Sequence, residues 1–152
     1  MDFSNNYSEE YLKQCSPYLD CVCLSCGDKS LEEILKLIND IKNYGCKHII
    51  IATRGSLGAI VMVDGKIYEQ SPCLVKPLDT MGAGDSFITC FLVNYIEGMK
   101  NVTDFPSQSQ EKGLVSIRKY QKYLVKSALY KAAIYSANNC LKEGSFGYGI
   151  EF

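Results

Sequence analysis

The chain has 152 residues, 47% of them hydrophobic, and a formal net charge of -1. That length suits one ordinary domain able to bury roughly 70% of the surface its unfolded chain exposes, and the near-zero charge excludes a global pull toward nucleic acid or an anionic membrane. The opening MDFSNNYSEEYLKQ lacks a cationic segment followed by an apolar stretch, and no later run reaches the roughly 18 apolar residues of a bilayer span, so a cytoplasmic protein is expected.

Ser8 to Gln14 predict a short helix, which Pro17 helps to end before a strand-length apolar run, Cys21 to Ser25. The eight cysteines lie inside such apolar runs and not in regularly spaced loops, as buried thiols in a reducing compartment do. Cys21, Cys23 and Cys26 form C-x-C-x-x-C, a spacing open to zinc or an iron-sulfur cluster. On a strand, however, Cys21 and Cys23 share one side with small core residues and no histidine lies near, which favours packing over metal. Next, Ser30 and Glu33 form a capping box for a helix whose apolar positions Leu31, Ile34, Leu35, Ile38 and Ile41 recur at helical spacing, with Gly45 as its stop.

The β-branched run beginning at His48 shows no polar alternation and reads as a parallel strand covered on both faces. His48 is the single histidine, and its place at the head of that run favours a structural role, so Ser-His and Cys-His nucleophilic schemes have little material. Asp64-Gly65 between two alternating runs marks a hairpin. Beyond Pro72 and Pro77 comes DTMGAGDSF, Asp79 to Phe87, and then Phe87, Phe91, Tyr95 and Ile88, Leu92, Ile96 fall in helical rows, with Gly98 as the expected stop. Residues 99–112 are polar and turn-rich and predict a surface loop. From Glu111 to Glu143 the pattern is helical and long enough to expect a break into two helices. Its basic residues Arg118, Lys119, Lys122, Lys126 and Lys131 are read as a solvated outer face, with an RNA-binding or membrane-binding helix as the sharper and weaker alternative.

The chemistry concentrates at Asp79 to Asp85. Backbone N-H groups of a Gly-Ala-Gly turn converge at a helix N-terminus, whose partial positive charge suits an oxyanion such as a phosphoryl group. Asp85 in the first helical turn is placed to accept a proton from an attacking hydroxyl. The bland alternative has Asp85 capping its helix and the glycines only turning the chain. Neither a Walker pattern nor a dinucleotide fingerprint is present, since no Lys-Ser/Thr and no third glycine follow at the required spacing.

DTMGAGDSF resembles the carboxy-terminal signature D-T-x-G-A-G-D-x-F of the ribokinase-like (PfkB) carbohydrate kinases, without a mismatch. Thr53 to Ala59, TRGSLGA, resembles the T-x-G-x-x-G nucleotide turn of that family, upstream and in the proper order. PYLDCVCLS, GSFGYG and DTMGAGDSFI look most like the fructoselysine 6-kinase branch. The resemblance implies an α/β fold, a three-layer αβα ribokinase-like architecture with a mostly parallel sheet, of which this chain covers the carboxy-terminal half. Met1 to Ser4 look like the tail of a central strand, entered midway.

By position, the resemblance makes Asp85 the catalytic base and Gly82, Ala83 and Gly84 the anion hole. It places Thr53, Gly55 and Gly58 at the nucleotide phosphates and ribose, and Tyr135 and Asn139 beside adenine. Asp79, Met81, Gly144 and Ser145 would surround a monovalent cation such as K+. The implied cofactors are ATP and Mg2+, and the implied partner is a sugar or sugar-amine adduct. Where the family shows N-x-x-E for magnesium, this chain reads Ser25-Cys26-Gly27-Asp28, which puts that route in doubt. Two readings follow: the nucleotide-binding and catalytic half of a sugar kinase, or a non-catalytic adenine-nucleotide module. An open sheet with apolar faces implies pairing with a second copy or a complementing amino-terminal chain.

Overall fold

The structure, a computed structural model, describes residues 1–101 and 110–145, apart from the side chains of residues 110–116. The chain divides into a first compact unit, Met1–Lys76, and a second that begins at Pro77.

In the first unit Ser8 caps helix α1 (Glu9–Cys15) by accepting from the Tyr11 N-H, and a 3₁₀ turn, Ser16–Tyr18, carries Pro17. Strand β1 (Cys21–Ser25) follows. Helix α2 (Leu31–Tyr44) starts with the complete capping box: Ser30 Oγ accepts from the Glu33 N-H at 3.3 Å, and the Ser30 N-H donates to Glu33 Oε2 at 2.8 Å. Two first-turn donors are thereby satisfied, and Gly45 closes the helix.

Strands β2 (Ile49–Thr53), β3 (Ala59–Val63) and β4 (Lys66–Gln70) join β1 in one sheet of order β1-β2-β3-β4. β1 and β2 are parallel, while β2-β3 and β3-β4 are antiparallel, so this part of the sheet is mixed. Short connections dictate the antiparallel pairs: the two residues Asp64 and Gly65, both at positive φ, can only reverse the chain. His48 accompanies that hairpin: its carbonyl accepts from the Asp64 N-H at 2.7 Å and its Nδ1 lies 3.1 Å from Asp64 Oδ1.

Met1 to Ser4 run parallel beside β1: the Cys23 N-H donates to Met1 O and the Phe3 N-H to Cys23 O, both at 2.9 Å, and the Ser25 N-H donates to Ser4 O at 2.8 Å. The segment pairs as the strand-like reading requires.

Val22, Leu24, Ile50, Ala52, Ile60 and Met62 share one sheet face and one cluster with Leu12 of α1 and Ile34, Ile38 and Ile41 of α2. Each such buried aliphatic side chain contributes roughly 1.5–3 kcal/mol. Leu31 and Leu35, also on the helical pattern, stay 43% and 38% exposed. Ile49, Ile51, Ala59, Val61 and Val63 point to the other face and are likewise buried, which explains the missing polar alternation.

The second unit pairs α3 (Ala83–Lys100) with α4 (Gln110–Asn139). Phe87, Phe91 and Tyr95 form the buried row of α3, the last two rings stacked with centroids 5.8 Å apart, whereas Ile96 of the neighbouring row is 48% exposed. Gln121 Nε2 donates to the Tyr95 hydroxyl at 3.1 Å and Lys131 Nζ to Asn94 Oδ1 at 3.0 Å.

Two expectations fail here. Gly98 does not stop α3, which continues to Lys100; its missing side chain makes room for α4, because a Cβ there would lie 2.2 Å from Leu124 Cδ1. The second helix does not break in two: no proline interrupts it, and Leu124, Val125, Ala128, Leu129 and Ala132 give it a continuous buried stripe. The surface loop expected at 99–112 is helical at both margins, and residues 102–109 lie outside the described residues. Among the described residues, no helix is long and apolar enough to cross a membrane.

The Gly98–Leu124 contact sets two effects against each other. Alanine gains about 1 kcal/mol of helix propensity but overpacks a buried contact at a cost of about 1–3 kcal/mol. Gly98→Ala therefore lowers the unfolding midpoint in a denaturant titration, and adding Leu124→Ala makes the second alanine less harmful than it is alone.

Candidate functional site

The DTMGAG segment reaches its shape through bonds to residues far along the chain. Asp79 Oδ1 accepts from the Met81 N-H and Oδ2 from the Gly144 N-H, both at 2.9 Å. Cys140 O accepts from the Leu78 and Asp79 N-H groups at 2.7 and 3.3 Å. Asn139 Nδ2 donates to Met81 O at 3.0 Å, and Ser136 Oγ donates to Ala83 O at 2.8 Å. The carboxy-terminal end of α4 thus clasps the turn that opens α3.

Gly82 stands before α3 at φ 72, and a Cβ on it would lie 2.3 Å from Ser145 Oγ. The Ala83 N-H donates to Thr80 O at 3.2 Å and the Ser86 N-H to Gly82 O at 2.8 Å. Between them, the N-H groups of Gly84 and Asp85 bond to no acceptor among the described residues. Gly82, Ala83 and Gly84 are half-buried, and Asp85 is exposed as the single acid of the first turn. Two open amides at a positive helix end, beside an exposed carboxylate, can hold an anion and receive a proton.

In the first unit, Thr53, Gly55 and Gly58 gather where β2 turns into β3. Thr53 Oγ1 donates to Leu24 O at 3.3 Å, and its carbonyl accepts from the Cys26 N-H at 2.8 Å, which ties together the ends of β1 and β2. The Gly58 N-H donates to Gly55 O at 3.1 Å while Gly58 O accepts from the Arg54 N-H at 2.8 Å. Arg54 went unnoticed in the sequence reading: its side chain is 12% exposed, with Nη1 3.4 Å from Glu69 Oε1.

Of the expected cation residues, Asp79, Met81 and Gly144 are joined directly by hydrogen bonds, and Ser145 lies against Gly82. Tyr135, expected beside adenine, is 49% exposed on the last turns of α4. Asn139, expected there too, is 5% exposed, and its Nδ2 donates to Met81 O. Ser136 and Cys140 were missed altogether; they lie over fifty positions from their partners, and no local pattern marks them. The turn from Ser25 to Asp28 offers one carboxylate, Asp28, with Lys29 Nζ 3.4 Å away. Among the described residues, no three His, Cys, Asp or Glu side chains group as a metal cage.

The Met81 N-H, and with it that of Gly144, holds the Asp79 carboxyl below its ordinary value of 3.8. A depressed folded-state value stabilises the fold above the unfolded carboxyl range, and that contribution disappears as pH falls through the lower folded value. Acid titration followed by circular dichroism should show the wild-type chain losing stability below about pH 4, with a shallower acid limb in Asp79→Asn.

Glycine replacements separate turn strain from close approach. Gly58, at φ 85, would set a Cβ 2.0 Å from Gln70 O, whereas Gly55, at φ 55, has nothing within 4 Å. Gly55→Ala should cost only the left-handed penalty of about 1–2 kcal/mol. Gly58→Ala adds a backbone clash and should cost about 3 kcal/mol or more, read from urea unfolding.

Three comparisons bear on this arrangement. The chain is 31% identical over 151 residues to fructosamine kinase FrlD of Bacillus subtilis (strain 168), covering 99% of this chain and 44% of that protein. It is 34% identical over 99 residues to fructoselysine 6-kinase of Escherichia coli (strain K12), covering 64% of this chain and 37% of that one. The chain therefore spans less than half the length of these curated relatives, both of them kinases of the branch that the sequence resembles. Its fold matches Arabidopsis thaliana ribokinase, solved with ribose and ATP, at a TM-score of 0.67 and 18% identity over 94% of this chain and 42% of that one. The architecture is accordingly α/β and ribokinase-like, an open mixed sheet with flanking helices. The pfkB family carbohydrate kinase pattern matches residues 20–103, more than half of the sequence, and the chain belongs to that family.

Proposed function

We propose that this chain supplies the nucleotide-binding and catalytic part of an ATP-dependent kinase acting on a sugar or sugar-amine adduct of the fructoselysine type, in the cytoplasm. The observation that carries the reading is the mouth of α3, where open amides of Gly84 and Asp85 adjoin the exposed Asp85 carboxylate. The half-buried Gly82-Ala83-Gly84 backbone supports that anion hole. In the reaction the acceptor hydroxyl oxygen forms a bond to the γ-phosphorus, the bond to the β-γ bridging oxygen breaks, ADP leaves and Asp85 takes the hydroxyl proton. A weak base suffices because the transition state is loose and nucleophile positioning dominates.

Thr53, Gly55 and Gly58 would line the nucleotide phosphates and ribose, and Tyr135 and Asn139 would flank adenine. Mg2+ would supply charge neutralisation on the phosphates, and Asp28 is the single carboxylate that the Ser25–Asp28 turn could offer it. Asp79, with oxygens around Met81, Gly144 and Ser145, forms an all-oxygen set that suits K+, although the Asp79 oxygens also accept backbone N-H bonds.

The second reading is a non-catalytic adenine-nucleotide-binding module that needs a partner chain. Calorimetric titration with ATP, beside a phosphorylation assay on fructoselysine, fructose and ribose, separates the two. The kinase reading expects product, with Asp85→Asn slowing turnover about 10²–10⁴-fold while ATP affinity stays. ATP binding without product on any acceptor favours the module, and activity unaffected by Asp85→Asn removes the aspartate from its assigned role.

A further inference from the structure

The thiols of Cys21 and Cys23 lie 3.8 Å apart on one face of β1. Cys21 is half-buried and Cys23 is 3% exposed, an arrangement of one reachable sulfur with a sheltered neighbour. We infer that Cys21 and Cys23 form an oxidisable dithiol, a reversible modification site open to low-molecular-weight disulfides such as oxidised glutathione.

Their hydrogen bond supports the division of labour. The contact draws the Cys21 thiol below its ordinary value, while the same contact together with burial pushes Cys23 upward. Cys21 is then the attacking sulfur and Cys23 the resolving one, the pairing expected of a thiol that responds to redox conditions.

In the first step the Cys21 thiolate attacks one sulfur of oxidised glutathione; its S-S bond breaks, one glutathione thiolate leaves, and a mixed disulfide forms on Cys21. Cys23 then loses its proton to that thiolate and attacks the Cys21 sulfur, and a second glutathione thiolate departs as the Cys21–Cys23 bond closes. Two protein thiols are oxidised and one external disulfide is reduced to two thiols.

Two strand residues span about 6.6 Å between Cα atoms, near the upper limit of about 6.8 Å for a disulfide, and the sulfurs must approach to about 2.05 Å. The bond is therefore strained, easily reduced and regulatory in character. β1 carries backbone hydrogen bonds on both edges, to β2 and to Met1–Ser4, so closure distorts both ladders and lowers thermal stability. Of the other thiols, Cys26 and Cys46 are fully buried, Cys46 Sγ donates to Ile49 O at 3.5 Å, Cys73 is exposed, and Cys15, Cys90 and Cys140 are half-buried like Cys21.

The test exposes the reduced full chain to graded oxidised and reduced glutathione, followed by intact mass and by tandem mass spectrometry of alkylated peptides. The expected result is loss of two hydrogens at intermediate poise, protection of Cys21 and Cys23 together from alkylation, a lower melting temperature, and full reversal by dithiothreitol. Cys21→Ser and Cys23→Ser each abolish the hydrogen loss, while Cys46→Ala and Cys73→Ser retain it. Peptide mapping of the wild-type chain decides the matter even where Cys23→Ser fails to fold. A glutathione adduct as the end product, a bond mapped to another pair, or no oxidation of Cys21 ahead of Cys73 overturns the inference.

Discussion

One carboxylate organises the second unit. Asp79 takes an N-H from Met81, two residues on, and another from Gly144, 65 positions away, so a local turn and a distant chain end share one anchor. Charge-assisted bonds to backbone amides are stronger and shorter than neutral ones and fix direction as well as distance. With Asn139 and Ser136 holding the carbonyls of Met81 and Ala83, the turn has partners for its acceptors on one side and leaves donors facing outward. Candidate chemistry at α3 depends on this asymmetry, because an anion can be bound only by amides the protein itself does not consume.

The helices extend that constraint. The Gly98–Leu124 contact brings α3 and α4 close, and the stacked Phe91 and Tyr95 fill the buried side of α3. α4 carries exposed Tyr135 and the clasping Ser136 and Asn139 within little more than one turn. A small rotation of α4 would move the residue assigned to the base and the turn assigned to the phosphate together.

Legibility in the sequence followed the range of the interaction. The α2 capping box, the Asp64-Gly65 hairpin and β1 could be read because each depends on neighbours within a few residues. Gly98 misled for the opposite reason: a glycine late in a helical pattern resembles a stop, and only the position of Leu124 shows it to be a packing notch. The break expected in α4 failed because length alone argued for it, while its buried stripe runs on without a proline. At the candidate site the motif exposed Asp79 and Asp85, but Ser136 and Cys140 act across more than fifty residues, and Arg54 meets Glu69 fifteen positions on.

The clasp also juxtaposes opposite poles. The carboxy-terminal end of α4 brings about half a negative elementary charge beside a similar positive charge at the start of α3, and Cys140 O accepts two N-H groups from the incoming segment. Their far fields largely cancel. An anion arriving from solvent would gain little from the helix poles until it lay within hydrogen-bonding reach, so capture here would be governed by amide direction.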